Sequence, residues 1–145
     1  MTLKTVTVID YGVGNLLSVR RGLEYNDALV KVTGDPEEIF QSDRVVLPGV
    51  GAFADGMAEL DKRDFISLIH DLTSKGTPLL GICLGMQFLL DESEEFGLTD
   101  GLGLISGKVT AVPSHAKDGS KLKIPHIGWN NLVKPKEEGV SWKGT

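Results

Sequence analysis

A chain of 145 residues, 41% hydrophobic and with 20 acidic against 15 basic side chains for a net charge of −5, reads as one soluble, mildly acidic domain with one core to build. The negative balance and the absence of a basic run argue against nucleic acid as a partner. No apolar run approaches bilayer-spanning length, and the N-terminus lacks a signal-peptide pattern. Cys83 is the single cysteine, so neither an internal disulfide nor a cysteine-rich metal site can form; a cytoplasmic location without metal or cofactor is expected.

Alternating pieces open the chain: a strand over 5–9, a helix from Asn15, a strand over 29–33, a helix from Asp35 and a strand over 44–47. Such alternation predicts a parallel sheet. Asp35-Pro36-Glu37-Glu38 is a helix start, with an N-cap, proline at the first helical position and a carboxylate at the third. Gly12-Val13-Gly14 stands where a dinucleotide fingerprint would begin. Its third glycine would fall at Leu17, however, and Thr33-Gly34 rather than an acidic residue ends the second strand, so nicotinamide or flavin binding is set aside. Asn15 then reads as the N-cap after a tight turn.

The strand over 44–47 runs into Pro48-Gly49-Val50-Gly51-Ala52-Phe53. Backbone free of side chains can approach a substrate closely there, and an N–H from Val50 or Gly51 could donate to an oxyanion; an ordinary βα loop is the other reading. Phe65, Leu68, Ile69 and Leu72 form one apolar helical stripe ending near Gly76. Next comes Pro78-Leu79-Leu80-Gly81-Ile82-Cys83-Leu84-Gly85-Met86-Gln87. Leu79, Leu80 and Ile82 read as a buried strand, residues 86–90 as the start of an apolar helical face, and Cys83 as the corner between them. Glycines at 81 and 85 remove the Cβ atoms that would crowd such a turn.

This corner would lift the Cys83 sulfur above the sheet edge, at a helix N-terminus whose free N–H groups and dipole favour thiolate. The Leu84 amide would be a second oxyanion donor. A lone cysteine is also often just a small buried hydrophobe. The paired glycines and flanking elements favour the nucleophile, because a structural cysteine has no need of this turn. Beyond Gly97, short β-like pieces over 104–112 and 122–124 are separated by the turn Lys117-Asp118-Gly119-Ser120, and no domain linker is visible.

Four segments run in one order from end to end: Asp10-Tyr11-Gly12-Val13-Gly14-Asn15-Leu16, the loop over 48–53, the elbow over 81–87 and Pro125-His126-Ile127-Gly128-Trp129-Asn130. Together they closely resemble the class I glutamine amidotransferases, and most closely the glutaminase subunits of imidazole glycerol phosphate synthase. The elbow alone would fit many α/β hydrolases; the first and last segments are the specific ones.

The resemblance implies a flavodoxin-like α/β fold, an open and mostly parallel sheet flanked by helices, forming one domain over 1–145. It implies a glutaminase in which Cys83 attacks the side-chain amide of glutamine and passes through a thioester to glutamate and ammonia. Val50, Gly51 and Leu84 would hold the oxyanion, and Gly49, Gly51 and Gln87 the substrate. Asn15, Pro125, His126 and Trp129 would face the partner, with Asn130 set by local hydrogen bonds. That partner is a (β/α)8-barrel synthase using the ammonia to make imidazole glycerol phosphate and an aminoimidazole carboxamide ribotide in histidine biosynthesis. Taken on its own, Trp129 also reads as a partly buried core aromatic.

The chain departs from the family at the base. The family takes a histidine and an orienting glutamate from a His-Pro-Glu motif near its C-terminus, and no such triplet occurs here. His70 lies in the amphipathic helix and His115 in a surface turn, while His126 belongs to the interface-like segment, so none is assigned as base. The ending Val140-Ser141-Trp142-Lys143-Gly144-Thr145 resembles a domain cut short. The last strands, the base and its acid are then expected to be missing. Such a piece should turn over glutamine poorly or not at all, and its open sheet edges should favour association. Three other readings stay open: a paralogous amidotransferase feeding a surface-sugar pathway, a non-catalytic binding or regulatory domain, and a redox or hydrolase nucleophile. Gln87 and the segment over 125–130 argue against the last.

Overall fold

The computed structural model describes residues 4–131, which divide into two compact units after Ala111. The first opens with β1 (Lys4–Ile9), α1 (Leu16–Glu24), β2 (Ala28–Thr33), α2 (Pro36–Phe40), β3 (Val45–Leu47), α3 (Phe53–Asp61), α4 (Phe65–Ser74) and β4 (Leu79–Gly81), the predicted series with α3 added. The four strands form a parallel sheet in the order β2-β1-β3-β4, the flavodoxin-like α/β arrangement. Chain direction across the sheet reverses between β1 and β3. In open sheets of this kind the ligand crevice lies outside the carboxyl ends of the strands at that point.

Strand alternation decides which helix covers which face. Val6, Val8 and Val46 point to one side, packed with Leu16, Val19 and Leu23 of α1. Ile9, Val45 and Leu47 point to the other, into a core with Ile39, Leu60, Ile69 and Leu72 from α2, α3 and α4. The predicted caps form: Asn15 accepts from the Ser18 N–H at 3.3 Å, and Asp35 from Glu37 and Glu38 at 2.9 and 3.1 Å, with Pro36 opening the helix. The α4 stripe buries Phe65, Ile69 and Leu72 as expected.

Other expectations need correction. The patterning gives no warning of α3, because Gly56 and two acids interrupt it; yet Phe53, Met57 and Leu60 are buried, and Gly56 lies against the Phe88 ring. The helix predicted over 86–90 is a single turn, α5 (Leu84–Gln87). Its continuation loses to pairing with the returning chain: the Phe88 carbonyl accepts from Leu102 at 2.7 Å, and that of Leu89 from Leu104 and Ile105 at 2.9 and 2.8 Å. Leu90 instead begins β5 (Leu90–Ser93), the centre of a second sheet with β6 (Thr99–Asp100) antiparallel and β7 (Ile105–Val109) parallel. The strand predicted as buried is also less covered than expected. Among the described residues β4 has a neighbour only on the β3 side, and Leu80 is 53% exposed.

In the second unit, residues 114–122 turn back on themselves through a bridge between His115 and Lys121. Asp118 fixes the turn by accepting from the Ser120 N–H and hydroxyl at 2.9 and 2.6 Å, and these bonds hold its carboxyl below the usual range. The strand predicted over 122–124 does not form; the Leu122 N–H donates to the Ser114 carbonyl in an isolated contact. The ending over 140–145 lies outside the described residues. Among those described, no helix is long and apolar enough to cross a membrane.

Candidate active site at the Cys83 elbow

Strands β3 and β4 pair in register from Val45↔Leu79 to Leu47↔Gly81, so the loops leaving them emerge side by side. The Ile82 N–H donates to the Leu47 carbonyl at 3.0 Å, and the chain then turns sharply. Cys83 adopts φ +56°, ψ −119°, a backbone conformation costing an L-residue on the order of 1–3 kcal/mol. The turn is held by the Cys83 carbonyl, which accepts from Met86 at 3.0 Å and Gln87 at 3.3 Å, and by the Gly85 N–H donating to Ile82 at 3.0 Å. Both glycines serve close approach: a Cβ on Gly81 would sit 2.6 Å from the Met86 Cα, and one on Gly85 would overlap the Leu47 carbonyl oxygen. Cys83 is exposed, and Gln87 follows one turn later, half-buried.

The loop after β3 lies directly on this turn. A Cβ on Gly49 would meet the Gly85 nitrogen at 2.8 Å and the Leu84 Cβ at 2.9 Å. From the loop after β1, the fully buried Tyr11 donates its hydroxyl to the Pro48 carbonyl at 2.8 Å, and Gly14 approaches the Pro48 ring. Three loops, from β1, β3 and β4, therefore meet at the carboxyl end of the sheet, beside the reversal of strand order. Among the described residues no acceptor takes the N–H of Val50, Gly51 or Leu84. An exposed thiol beside unengaged N–H groups on two converging turns is what acyl transfer through a tetrahedral oxyanion requires. α5 is one turn long, which corrects the longer helix expected behind Cys83 and leaves no extended helix dipole at that corner.

Sequence reasoning missed Glu95. Its carboxylate accepts from the Phe53 N–H at 2.8 Å and so caps α3 where the 48–52 loop ends, while its own N–H donates to the buried Ser93 hydroxyl at 3.1 Å. In sequence it stands in the run Asp91-Glu92-Ser93-Glu94-Glu95, which reads as a solvated acidic stretch and carries no signal of this contact.

The other predicted residues are placed as follows. Asn15 is exposed at the start of α1. Pro125, His126 and Trp129 are exposed in the second unit; Trp129 is 103% exposed, which overturns its reading as a partly buried aromatic. His126 and Asn130 are joined by a 2.9 Å Nε2–Nδ2 hydrogen bond, the local contact expected for Asn130. His70 is exposed on α4, and His115 contacts the Ser114 hydroxyl at 3.0 Å in the second unit's turn. Among the described residues no three His, Cys, Asp or Glu side chains gather as a metal site would need.

This fold, a parallel sheet flanked by helices with a cysteine on the turn leaving its edge strand, defines a flavodoxin-like α/β protein. The family model of class I glutamine amidotransferases matches residues 7–144, and the chain belongs to that family. It is 56% identical over 140 residues to imidazole glycerol phosphate synthase subunit HisH 1 of Legionella pneumophila strain Lens, covering 97% of this chain and 65% of that protein. Subunit HisH of Methanosarcina barkeri strain Fusaro is 49% identical over 142 residues, 98% of this chain and 66% of its own. That of Bacillus subtilis strain 168 is 50% identical over 127 residues, 88% and 60%. The chain thus spans 60–66% of the length of these relatives, less than two thirds of each. Among solved structures, a peptidase E-like protein from Listeria monocytogenes EGD-e superposes with a TM-score of 0.55 at 21% identity, over 70% of this chain and 63% of that one, a likeness of fold alone.

Proposed function

We propose that the chain is the nucleophile-bearing part of a glutaminase subunit, and that Cys83 opens the side-chain amide of L-glutamine. The observation that carries this is the Cys83 turn itself: an exposed sulfur on a left-handed backbone, with the 48–51 loop packed against its helical turn. In the reaction the Cys83 thiolate adds to the amide carbon and the carbonyl electrons move to oxygen. The N–H groups of Leu84 and of Val50 or Gly51 receive that oxyanion. Its collapse breaks the C–N bond, the nitrogen takes a proton and leaves as ammonia, and a thioester remains. Water then adds to the thioester, a second oxyanion collapses, and glutamate leaves with Cys83 restored. Gly49, Gly51 and Gln87 hold the substrate beside the sulfur.

Each step needs a proton carrier. With no His-Pro-Glu triplet in the 145 residues, we place the base and its orienting carboxylate in the part of the relatives that this chain does not cover. The ammonia acceptor is a synthase subunit in histidine biosynthesis, following the relatives' names. Asn15, Pro125, His126 and Trp129 are the contact residues we assign to it, in the cytoplasm. The exposed Trp129 and Ile127 favour such a contact, since aromatic anchors are enriched at interfaces.

The deciding experiment measures ammonia release from glutamine by this chain and by a version extended to its relatives' length, each with and without the synthase and with Cys83→Ala as control. Release only from the extended form, and lost in Cys83→Ala, is the expected result. Cysteine-dependent release by the 145 residues alone would show that the base is already present. No release from any form would end the glutaminase reading.

A further inference from the structure

We infer that Tyr11 is a positioning residue for the oxyanion-binding loop: its hydroxyl, hydrogen-bonded to the Pro48 carbonyl, sets the direction in which the following backbone N–H groups point. This rests on the glutaminase reading above. The loop has little else to orient it. Gly49 is buried against the Leu84–Gly85 turn, but Val50 is 48% exposed and Gly51 adopts φ +94° with nothing near its would-be Cβ, so beyond Gly49 packing does not lock the peptide planes.

The Pro48–Gly49 peptide is trans and planar, so its carbonyl and its N–H point in opposite directions. Fixing the carbonyl on Tyr11 at 2.8 Å fixes the roll of that plane, whose own N–H is that of Gly49, and the close fit of Gly49 against the Gly85 nitrogen and Leu84 carries that orientation on to the plane of the Val50 N–H. Tyr11 is itself immobile. Its ring is fully buried and stands edge-on to Phe88, centroids 6.5 Å apart, and its hydroxyl lies 3.0 Å from where a Gly49 Cβ would be. Burial pushes the phenol up to about 12, so the hydroxyl remains a donor throughout the neutral range.

The test uses the protein at its relatives' length with the synthase. It compares kcat and KM for ammonia release with the rate at which iodoacetamide alkylates Cys83, a displacement that forms no oxyanion. Tyr11→Phe keeps the ring and removes only the hydroxyl. It should lower kcat about ten- to a hundredfold, with KM and the alkylation rate within about twofold of wild type. Unchanged kcat overturns the inference. So does a parallel fall in turnover and alkylation, which would mark general damage to the elbow. Should Tyr11→Phe not fold, 3,5-difluorotyrosine at position 11 keeps the shape but loses its proton more readily; the high-pH fall in kcat should then move to lower pH, and an unmoved profile overturns the inference. Absence of Cys83-dependent release in the wild type is a different result, which removes the glutaminase reading and this inference with it.

Discussion

At Cys83 the backbone is more distinctive than the side chain. A φ of +56° with ψ −119° is unfavourable for any residue with a Cβ, and the fold maintains it through the close fit of Gly81 and Gly85. Cys83→Gly relaxes that strain while Cys83→Ala retains it. Glycine's extra unfolded-state entropy opposes the gain by about 0.5–1 kcal/mol, and the strain of about 1–3 kcal/mol is larger. Urea unfolding should therefore find Cys83→Gly more stable than Cys83→Ala by roughly 1 kcal/mol; equal midpoints would mean that the turn is unstrained. Tyr11 gives a pH signature of its own. The folded state holds its phenol proton up to about pH 12, whereas the unfolded chain releases it near the ordinary value of 10.0. Between those values the folded state binds more protons, so stability falls as pH rises, and the contribution is complete below pH 10. Wild type should lose stability across that window more steeply than Tyr11→Phe, whose phenol is gone. The elbow was legible in the sequence because two glycines flank the only cysteine at −2 and +2. Glu95 was not, because its partner is a backbone N–H 42 residues away.

Helices whose caps and stripes are local, such as α1, α2 and α4, were readable from their own residues, whereas α3 and α5 are set by what they pack against. Gly56 shows the difference. In an isolated helix Gly→Ala gains about 1 kcal/mol. In α3 the added Cβ would overlap the Cζ of Phe88, which is fully buried and already edge-on to both Tyr11 and Phe53. Overpacking of that kind costs about 1–3 kcal/mol, so Gly56→Ala should be destabilising on balance, by about 1 kcal/mol. Gly22 in α1 has nothing within 4 Å of its would-be Cβ, and Gly22→Ala should stabilise by about 0.4–1 kcal/mol. Paired denaturation curves decide this; equal effects at the two glycines would mean that Phe88 yields freely. The same close packing explains why α5 stops at one turn: Phe88 and Leu89 give their carbonyls to residues 102–105 instead of continuing the helix.

The sheet's two outer strands differ in how they meet solvent. On β2, Leu29 is 57% exposed, but Lys31 stands two residues along and pairs with Glu38 at 2.8 Å, and such a charge discourages edge-to-edge pairing. On β4 only Leu79, Leu80 and Gly81 form the strand, without any charge, and Leu80 presents an apolar side chain beside backbone unpaired on that side among the described residues. The 145-residue chain should therefore self-associate through β4, with a weight-average sedimentation coefficient that rises with concentration. Leu80→Lys should abolish the rise, while Leu29→Lys on β2 should leave it. Both substitutions move the net charge from −5 toward zero, which by itself favours association. A loss confined to Leu80→Lys thus reports the strand edge and not the molecule's charge. A concentration-independent monomer in the unsubstituted chain would show that a strand edge three residues long is too short to template pairing.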